Sequence, residues 1–334
     1  MKTRIADKTD EVAEDARLYM IHLDSLTKQY DLPSGKVGEI MAADRLNLDV
    51  ADGEIFGLVG PNGAGKTTTL KMICAPHAPT AGRVTVNGID VQREPEKAQR
   101  HIGYLADFFS LYDDLKVWEY LDYFAHAYKM GEGNIPGRVD EVIRLMNLES
   151  KRDELISGLS RGMKQRLGIG RAIIHHPPLL VLDEPAAGLD PKARVELKAL
   201  LEDLHAQGKT IFITSHILAD LEEICTSIAI IERGLLLRVG RLEDVMREGK
   251  SVRRFRIKLA AMGFALAGWL GARPGVSGVT AKVAGAEFAF AGSDAELAEL
   301  VGALVAARAP ICGVEELTET LEGLYSRVSS GEVM

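Results

Sequence analysis

One run of nine residues, Gly60-Pro61-Asn62-Gly63-Ala64-Gly65-Lys66-Thr67-Thr68, carries the densest chemical signal in the chain. It reads G-x-x-x-x-G-K-T and lies between an apolar strand-like segment and a helix-like one, the context a phosphate loop requires. Glycines let the backbone curl until its N–H groups converge on phosphate oxygens, and the N-terminal end of the next helix adds positive potential. Lys66 is expected to reach the β and γ phosphates of a nucleoside triphosphate, and Thr67 to offer its hydroxyl to Mg2+. Further along, Leu179-Leu-Val-Leu182 runs into Asp183-Glu184-Pro185, two adjacent carboxylates at a strand end. Strand alternation would aim them apart, Asp183 toward the Mg2+ shell and Glu184 toward the γ-phosphate, where it polarises the attacking water. His216, after Thr214-Ser215, ends another strand and could donate a hydrogen bond to a γ-phosphate.

The elements that must position these groups are readable from periodicity. Ile55–Val59, Leu179–Leu182 and Thr210–Thr214 are nearly unbroken apolar runs, as in strands covered on both faces, and each ends in its polar residues. Between Ile21 and Ile213 short apolar runs alternate with helix-like ones, the βαβ rhythm of an α/β fold with a mainly parallel sheet. The stretch from Gly60 to Asp183 exceeds what one crossover needs, so an insertion is expected at about 107–165, with helices at Trp118–Tyr128 and Val139–Met146. After Gly240 the texture turns to Ala, Gly and Val, with strand-like alternation at Val276–Val283 and Glu287–Phe290 and a helix-like Asp294–Arg308. The expected organisation is a charged flexible tail at 1–20, an α/β unit at 21–245, and a small α+β module at 250–334.

Several ordered motifs between about 21 and 240 make this chain resemble the ATP-binding subunits of ABC transporters. Leu159-Ser160-Arg161-Gly162-Met163 looks like the signature Leu-Ser-Gly-Gly-Gln, Ala187-Gly-Leu-Asp190 like the D-loop, His216 like the switch histidine, and Tyr30 like the aromatic that stacks on adenine. The resemblance implies a P-loop NTPase (RecA-like) core with an inserted helical subdomain, ATP and Mg2+ as cofactors, and catalysis by Glu184, His216 and Lys66. The nucleotide would be held by Tyr30, the 60–68 loop, Asp107, Ser160, Gly162 and Asp190, and the metal by Thr67, Asp183 and Asp107. Ser160 and Gly162 open a helix and so offer a second phosphate surface, which one chain cannot fold onto its own glycine loop. The family's answer is a head-to-tail homodimer in which each signature closes on the other subunit's ATP. Three positions depart from the family pattern: Arg161 and Met163 replace a glycine and the glutamine of the signature, as in exporter-type members, and Asp107 stands at the Q-loop glutamine.

Composition narrows the class. Forty Lys and Arg against 48 Asp and Glu give a net charge of −8, without the basic footprint of a duplex-nucleic-acid binder. Cys74, Cys225 and Cys312 are widely spaced, which signals neither a disulfide framework nor a zinc knuckle, and adjacent His175-His176 would face different directions. The apolar stretch Leu259–Ala272 is shorter than the roughly 20 residues a membrane helix needs. The resemblance, with one cassette, no heptad run and this charge, implies an ATPase subunit on the inner face of the cytoplasmic membrane driving a separate exporter permease, ahead of a soluble ABC ATPase acting on nucleic acid or ribosomes and of a P-loop kinase. Phe108, Phe109, Leu111, Tyr112 and Trp118, just after the Q-loop position, are the expected docking patch for that permease.

Overall fold

Antiparallel strands lead in the computed structural model, which describes residues 19–31, 39–247 and 253–317, together with 323 and 325. The tail expected at 1–20 falls outside the described residues except for Tyr19 and Met20, and Met20 is buried. The chain divides into two units, Met1–Val245 and Met246–Met334.

In the first unit β1 (Ile21–Asp31) pairs with β2 (Glu39–Val50), setting Tyr30 opposite Ile40. β3 (Ile55–Val59), buried at every position, leads through the glycine loop into α1 (Lys66–Ile73). β4 (Ala81–Val86) and β5 (Ile89–Asp90) complete a four-stranded antiparallel sheet ordered β2-β1-β4-β5. The parallel rhythm expected from Ile21 onward therefore begins only at β3. β1 and β2 mix buried and open positions, as suits a sheet covered on one face.

After α2 (Pro95–Gln99), β6 (Ile102–Leu105) enters the main sheet. The helical insertion follows, with α3 (Val117–Ala127), α4 (Ile135–Leu145) and α5 (Arg161–Ile173). α4 starts four residues before the helix expected at Val139, because Pro136 in its first turn needs no N–H donor there. Arg138 in α4 ties this insertion to the sheet-bound end of α5: Nε donates to the Ile174 carbonyl at 2.9 Å and Nη2 to that of Ile173. Those carbonyls are among the orphans every helix C-terminus leaves. The unit closes with β7 (Leu179–Asp183), α6 (Pro191–Ala206), β8 (Thr210–Ser215), α7 (Leu218–Glu222), β9 (Ser227–Glu232), β10 (Leu235–Arg241) and α8 (Leu242–Arg247).

The main sheet is ordered β10-β9-β3-β8-β7-β6 and is parallel except for β10. Neighbouring β3, β8 and β7 thus deliver the glycine loop, His216 and the Asp183-Glu184 pair to one edge of the sheet.

The second unit comprises β11 (Arg253–Leu259), α9 (Leu266–Gly271), β12 (Val276–Lys282), β13 (Gly285–Phe290), α10 (Asp294–Ala306) and β14 (Ile311–Leu317). Its strands are antiparallel in the order β12-β13-β11-β14, the split β-α-β-β-α-β arrangement called ferredoxin-like. Phe255, Ile257, Phe288, Leu270 and Leu304 form its core. On the opposite face of β11, Arg256 pairs with Glu287 at 2.7 Å and with Glu315 at 3.4 Å. The apolar run Leu259–Ala272 resolves into the end of β11, a loop and α9. No helix among the described residues is long and apolar enough to cross a membrane.

Candidate functional site

The glycine loop is held on both sides by backbone. A Cβ on Gly60 would stand 2.2 Å from the Ile231 carbonyl oxygen, and one on Gly65, at φ +111°, 2.1 Å from that of Ala42. Only glycine allows that approach. Ala64 is clamped further, its N–H donating to Pro61 and its carbonyl accepting from Gly234 at 2.8 Å. Pro61, Asn62, Gly63, Gly65, Lys66, Thr67 and Thr68 then line a cavity of about 350 Å3. Lys66 lies folded over the loop: Nζ donates to the Gly60 carbonyl at 2.6 Å and stands 3.3 Å from Glu184 Oε1.

The two carboxylates diverge as expected, but not by strand alternation. Asp183 is the last residue of β7, 1% exposed, and accepts a 2.7 Å hydrogen bond from the Thr214 hydroxyl. Glu184 leaves the strand at φ +49°, a left-handed conformation that non-glycine residues seldom adopt and that clusters at functional sites. That turn aims its carboxylate over the loop, between Lys66 and His216. Oε2 accepts from His216 Nδ1 at 2.7 Å and from the His216 backbone N–H at 3.2 Å. Asp107, on the loop after β6, borders the same cavity with Glu184, Ala187 and His216. Burial first, then the neighbouring Asp183 and Glu184 charges, raise its carboxyl above the usual aspartate range. It caps no helix, since α3 begins ten residues later behind Lys116.

Ser160, Gly162 and Asp190 form a second cluster that does not line the cavity. Ser160 caps α5 by accepting from the Met163 N–H, and Asp190 caps α6 by accepting from the Ala193 N–H at 2.9 Å. The two helix starts touch, since a Cβ on Gly162 would lie 3.0 Å from Ala193 Cβ. Tyr30 is also outside the lining, its hydroxyl bonded to His77 Nδ1 at 3.0 Å and Lys28 Nζ 5.1 Å from its ring centroid. Apolar contact at the cavity comes instead from Ile40 and Met41 at the start of β2, 49% and 41% exposed. Their signal in the sequence is a pair of adjacent apolar residues, Ile40-Met41.

The aromatic segment divides. Phe108 is 93% exposed and Tyr112 is half exposed. Phe109 packs against Gly168 and lies near the Arg171 guanidinium, while Trp118 lies near that of Arg152. His175 stacks on Tyr128 with centroids 3.7 Å apart and donates from Nε2 to the Ile102 carbonyl; burial lowers its pKa to about 4 and keeps it neutral.

Known proteins are similar to this chain in sequence and fold. Residues 43–187 match the family described as ABC transporter. The Nod factor export ATP-binding protein I of Paraburkholderia xenovorans (strain LB400) is 39% identical over 212 residues, 64% of this chain and 70% of that protein. The probable multidrug ABC transporter ATP-binding protein YbhF of Escherichia coli (strain K12) is 37% identical over 63% of this chain and 36% of its own length. Among solved structures, a dimeric post-hydrolysis state of the ATP-binding cassette MJ0796 with ADP and Pi superposes with a TM-score of 0.60 at 28% identity, covering 67% of this chain and 99% of that one. Phosphate loop, paired carboxylates, strand order and these relatives agree: the chain belongs to the ABC transporter family, as an ATP-binding and ATP-hydrolysing subunit.

Proposed function

We propose that this chain energises an exporter, binding ATP as a head-to-tail homodimer docked on a separate integral membrane permease at the cytoplasmic face. The observation that carries the reading is Glu184, held between Lys66 at 3.3 Å and His216 at 2.7 Å over the glycine loop. Incoming ATP takes its place against the loop N–H groups, and Lys66 exchanges the Gly60 carbonyl and Glu184 for phosphate oxygens. Glu184, released from Lys66, accepts the proton of the water that attacks the γ-phosphorus as the bond to the β-γ bridging oxygen breaks. His216 steers that carboxylate through its side chain and its backbone N–H.

Hard oxygens that suit Mg2+ are the Thr67 hydroxyl and the Asp107 carboxylate, which line the cavity, and the buried Asp183 carboxylate, which does not. When bound, the metal neutralises phosphate charge. Ser160 and the α5 N-terminus serve the ATP of the second copy, as the dimeric cassette structures support. Exposed Phe108 and Tyr112 are the docking residues for the permease, and the similarity to Nod factor export proteins supports export as its direction.

Light scattering tests the assembly. Glu184→Gln with ATP and Mg2+ should form a dimer, and adding Ser160→Arg should abolish it. Monomers of Glu184→Gln under every nucleotide condition would overturn the head-to-tail reading.

A further inference from the structure

A second cavity, of about 210 Å3, lies between α6, α7 and the end of β8. It shares no lining residue with the phosphate-loop cavity, yet the same two segments part them. Glu184 and Ala187 line the phosphate side, Pro185 and Ala186 the other; His216 lines the phosphate side and Ser215 the other. The 184–187 turn is tied within itself and to α5, the Ala187 N–H donating to the Glu184 carbonyl at 3.1 Å and Arg161 Nη2 to the Ala187 carbonyl at 2.9 Å. Whatever fills the second cavity therefore bears on the backbone that carries Glu184 and His216.

The lining is apolar with one poorly matched charge. Leu197, Leu201, Ile213 and Leu221 are buried there. Of the four charged side chains that reach it, Lys198 and Glu223 satisfy each other, Nζ donating to Oε2 at 2.9 Å. Asp220 and Arg194 do not. Their closest approach is 3.7 Å, beyond hydrogen-bond distance, and Arg194 Nε donates to the Leu189 carbonyl at 3.3 Å instead. Asp220 Oδ2 is buried with no hydrogen-bond partner. Burial is the largest influence on this carboxyl and raises it above the usual aspartate range, with Arg194 opposing. A buried carboxylate oxygen left unpaired costs free energy that a donor in the cavity recovers.

We propose that this cavity binds a small organic ammonium compound, its apolar body on Leu197, Leu201 and Leu221 and its N–H groups donating to Asp220. An apolar cavity of about 150 Å3 accepts benzene, so about 210 Å3 suits one ring with an aminomethyl arm. The amine is favoured over an alcohol because its hydrogen bond is charge-assisted, and over a carboxylate because Asp220 repels one. The bound compound braces Pro185 and Ala186 and so restricts the movement by which Glu184 leaves Lys66 for the attacking water. This effect on turnover rests on the assignment of hydrolysis to Glu184.

Benzylamine, benzyl alcohol and benzoate, each with the full chain, test the site by saturation-transfer NMR and by steady-state ATP hydrolysis. Benzylamine should bind with a dissociation constant of about 1 mM, benzyl alcohol about tenfold more weakly, and benzoate not at all. Saturating benzylamine should lower kcat about threefold while the KM for ATP changes less than about twofold. Asp220→Asn, which keeps the shape, should lose the preference for the amine. Val195 is 68% exposed at the cavity, so Val195→Trp should block binding while leaving activity without the amine unchanged. Equal binding of the three compounds, amine binding that survives both substitutions, or binding that leaves kcat unchanged would overturn the proposal. Normal turnover by Glu184→Gln would refute the hydrolysis assignment alone, since amine binding is read without turnover.

Discussion

Two glycines of the phosphate loop separate backbone strain from steric contact. Gly63 and Gly65 both have positive φ, +81° and +111°, but a Cβ on Gly63 meets nothing within 4 Å, whereas one on Gly65 lies 2.1 Å from the Ala42 carbonyl oxygen. Gly63→Ala therefore bears only the left-handed strain, about 1–2 kcal/mol, partly offset by about 0.5 kcal/mol from a stiffer unfolded chain. Gly65→Ala bears the same strain and must also move the loop from β2 by about 1 Å to reach ordinary contact distance. We expect net losses of about 1 kcal/mol and about 3 kcal/mol in denaturant unfolding without nucleotide. Because the shift displaces converging N–H groups, Gly65→Ala should also weaken binding of a fluorescent ATP analogue about 100-fold. Equal destabilisation by the two substitutions would show that the contact with Ala42 does not hold the loop.

Three further outcomes follow from individual residues. Asp107→Gln should raise the Mg2+ midpoint of ATPase activity while tightening metal-free ATP binding, since it removes a carboxylate that attracts the metal and repels phosphate; an unchanged midpoint in both Asp107→Gln and Asp107→Asn would remove Asp107 from the metal site. The carboxyl of Asp107 is raised in the folded state, so its relative stabilisation is present below the unfolded pKa and is lost as pH rises through the folded one. Asp107→Asn should therefore melt higher than wild type at pH 8, by less than about 1 kcal/mol because the group is solvent-screened, and the gap should close on acidification. Arg138→Met should cost about 3 kcal/mol in denaturant unfolding, because the buried carbonyls of Ile173 and Ile174 lose their donor; a loss below about 1 kcal/mol would mean that water replaces the guanidinium.

Local rules made the phosphate loop, β3, β7 and β8 legible, since residues 55–68, 179–184 and 210–216 carry their own strand period, glycine spacing and terminal charges. The strands and helix expected at 276–308 are legible for the same reason, whereas their sheet order depends on pairings such as Arg256 with Glu287 that no local window contains. The site's finer geometry is hidden likewise. The left-handed turn at Glu184 follows from hydrogen bonds to Thr214, 30 residues away, and the hold of Arg161 on Ala187 spans 26. Phe109 and Trp118 look like exposed aromatics in the sequence because their partners Arg171 and Arg152 arrive from elsewhere in the helical insertion. Tyr30 stands opposite Ile40, which lines the cavity with Met41, and its hydroxyl is bonded to His77, partners that no local window of the sequence contains.

Glu184 is proposed to perform the chemistry while the glycine loop performs the binding. Single-turnover hydrolysis of ATP by purified wild type and Glu184→Gln, with ATP affinity measured on the same preparations, tests it most directly. Gln keeps the shape between Lys66 and His216 but cannot accept the proton of water. Hydrolysis should slow at least about 100-fold, with affinity changed less than about threefold. Turnover within a few-fold of wild type would contradict it.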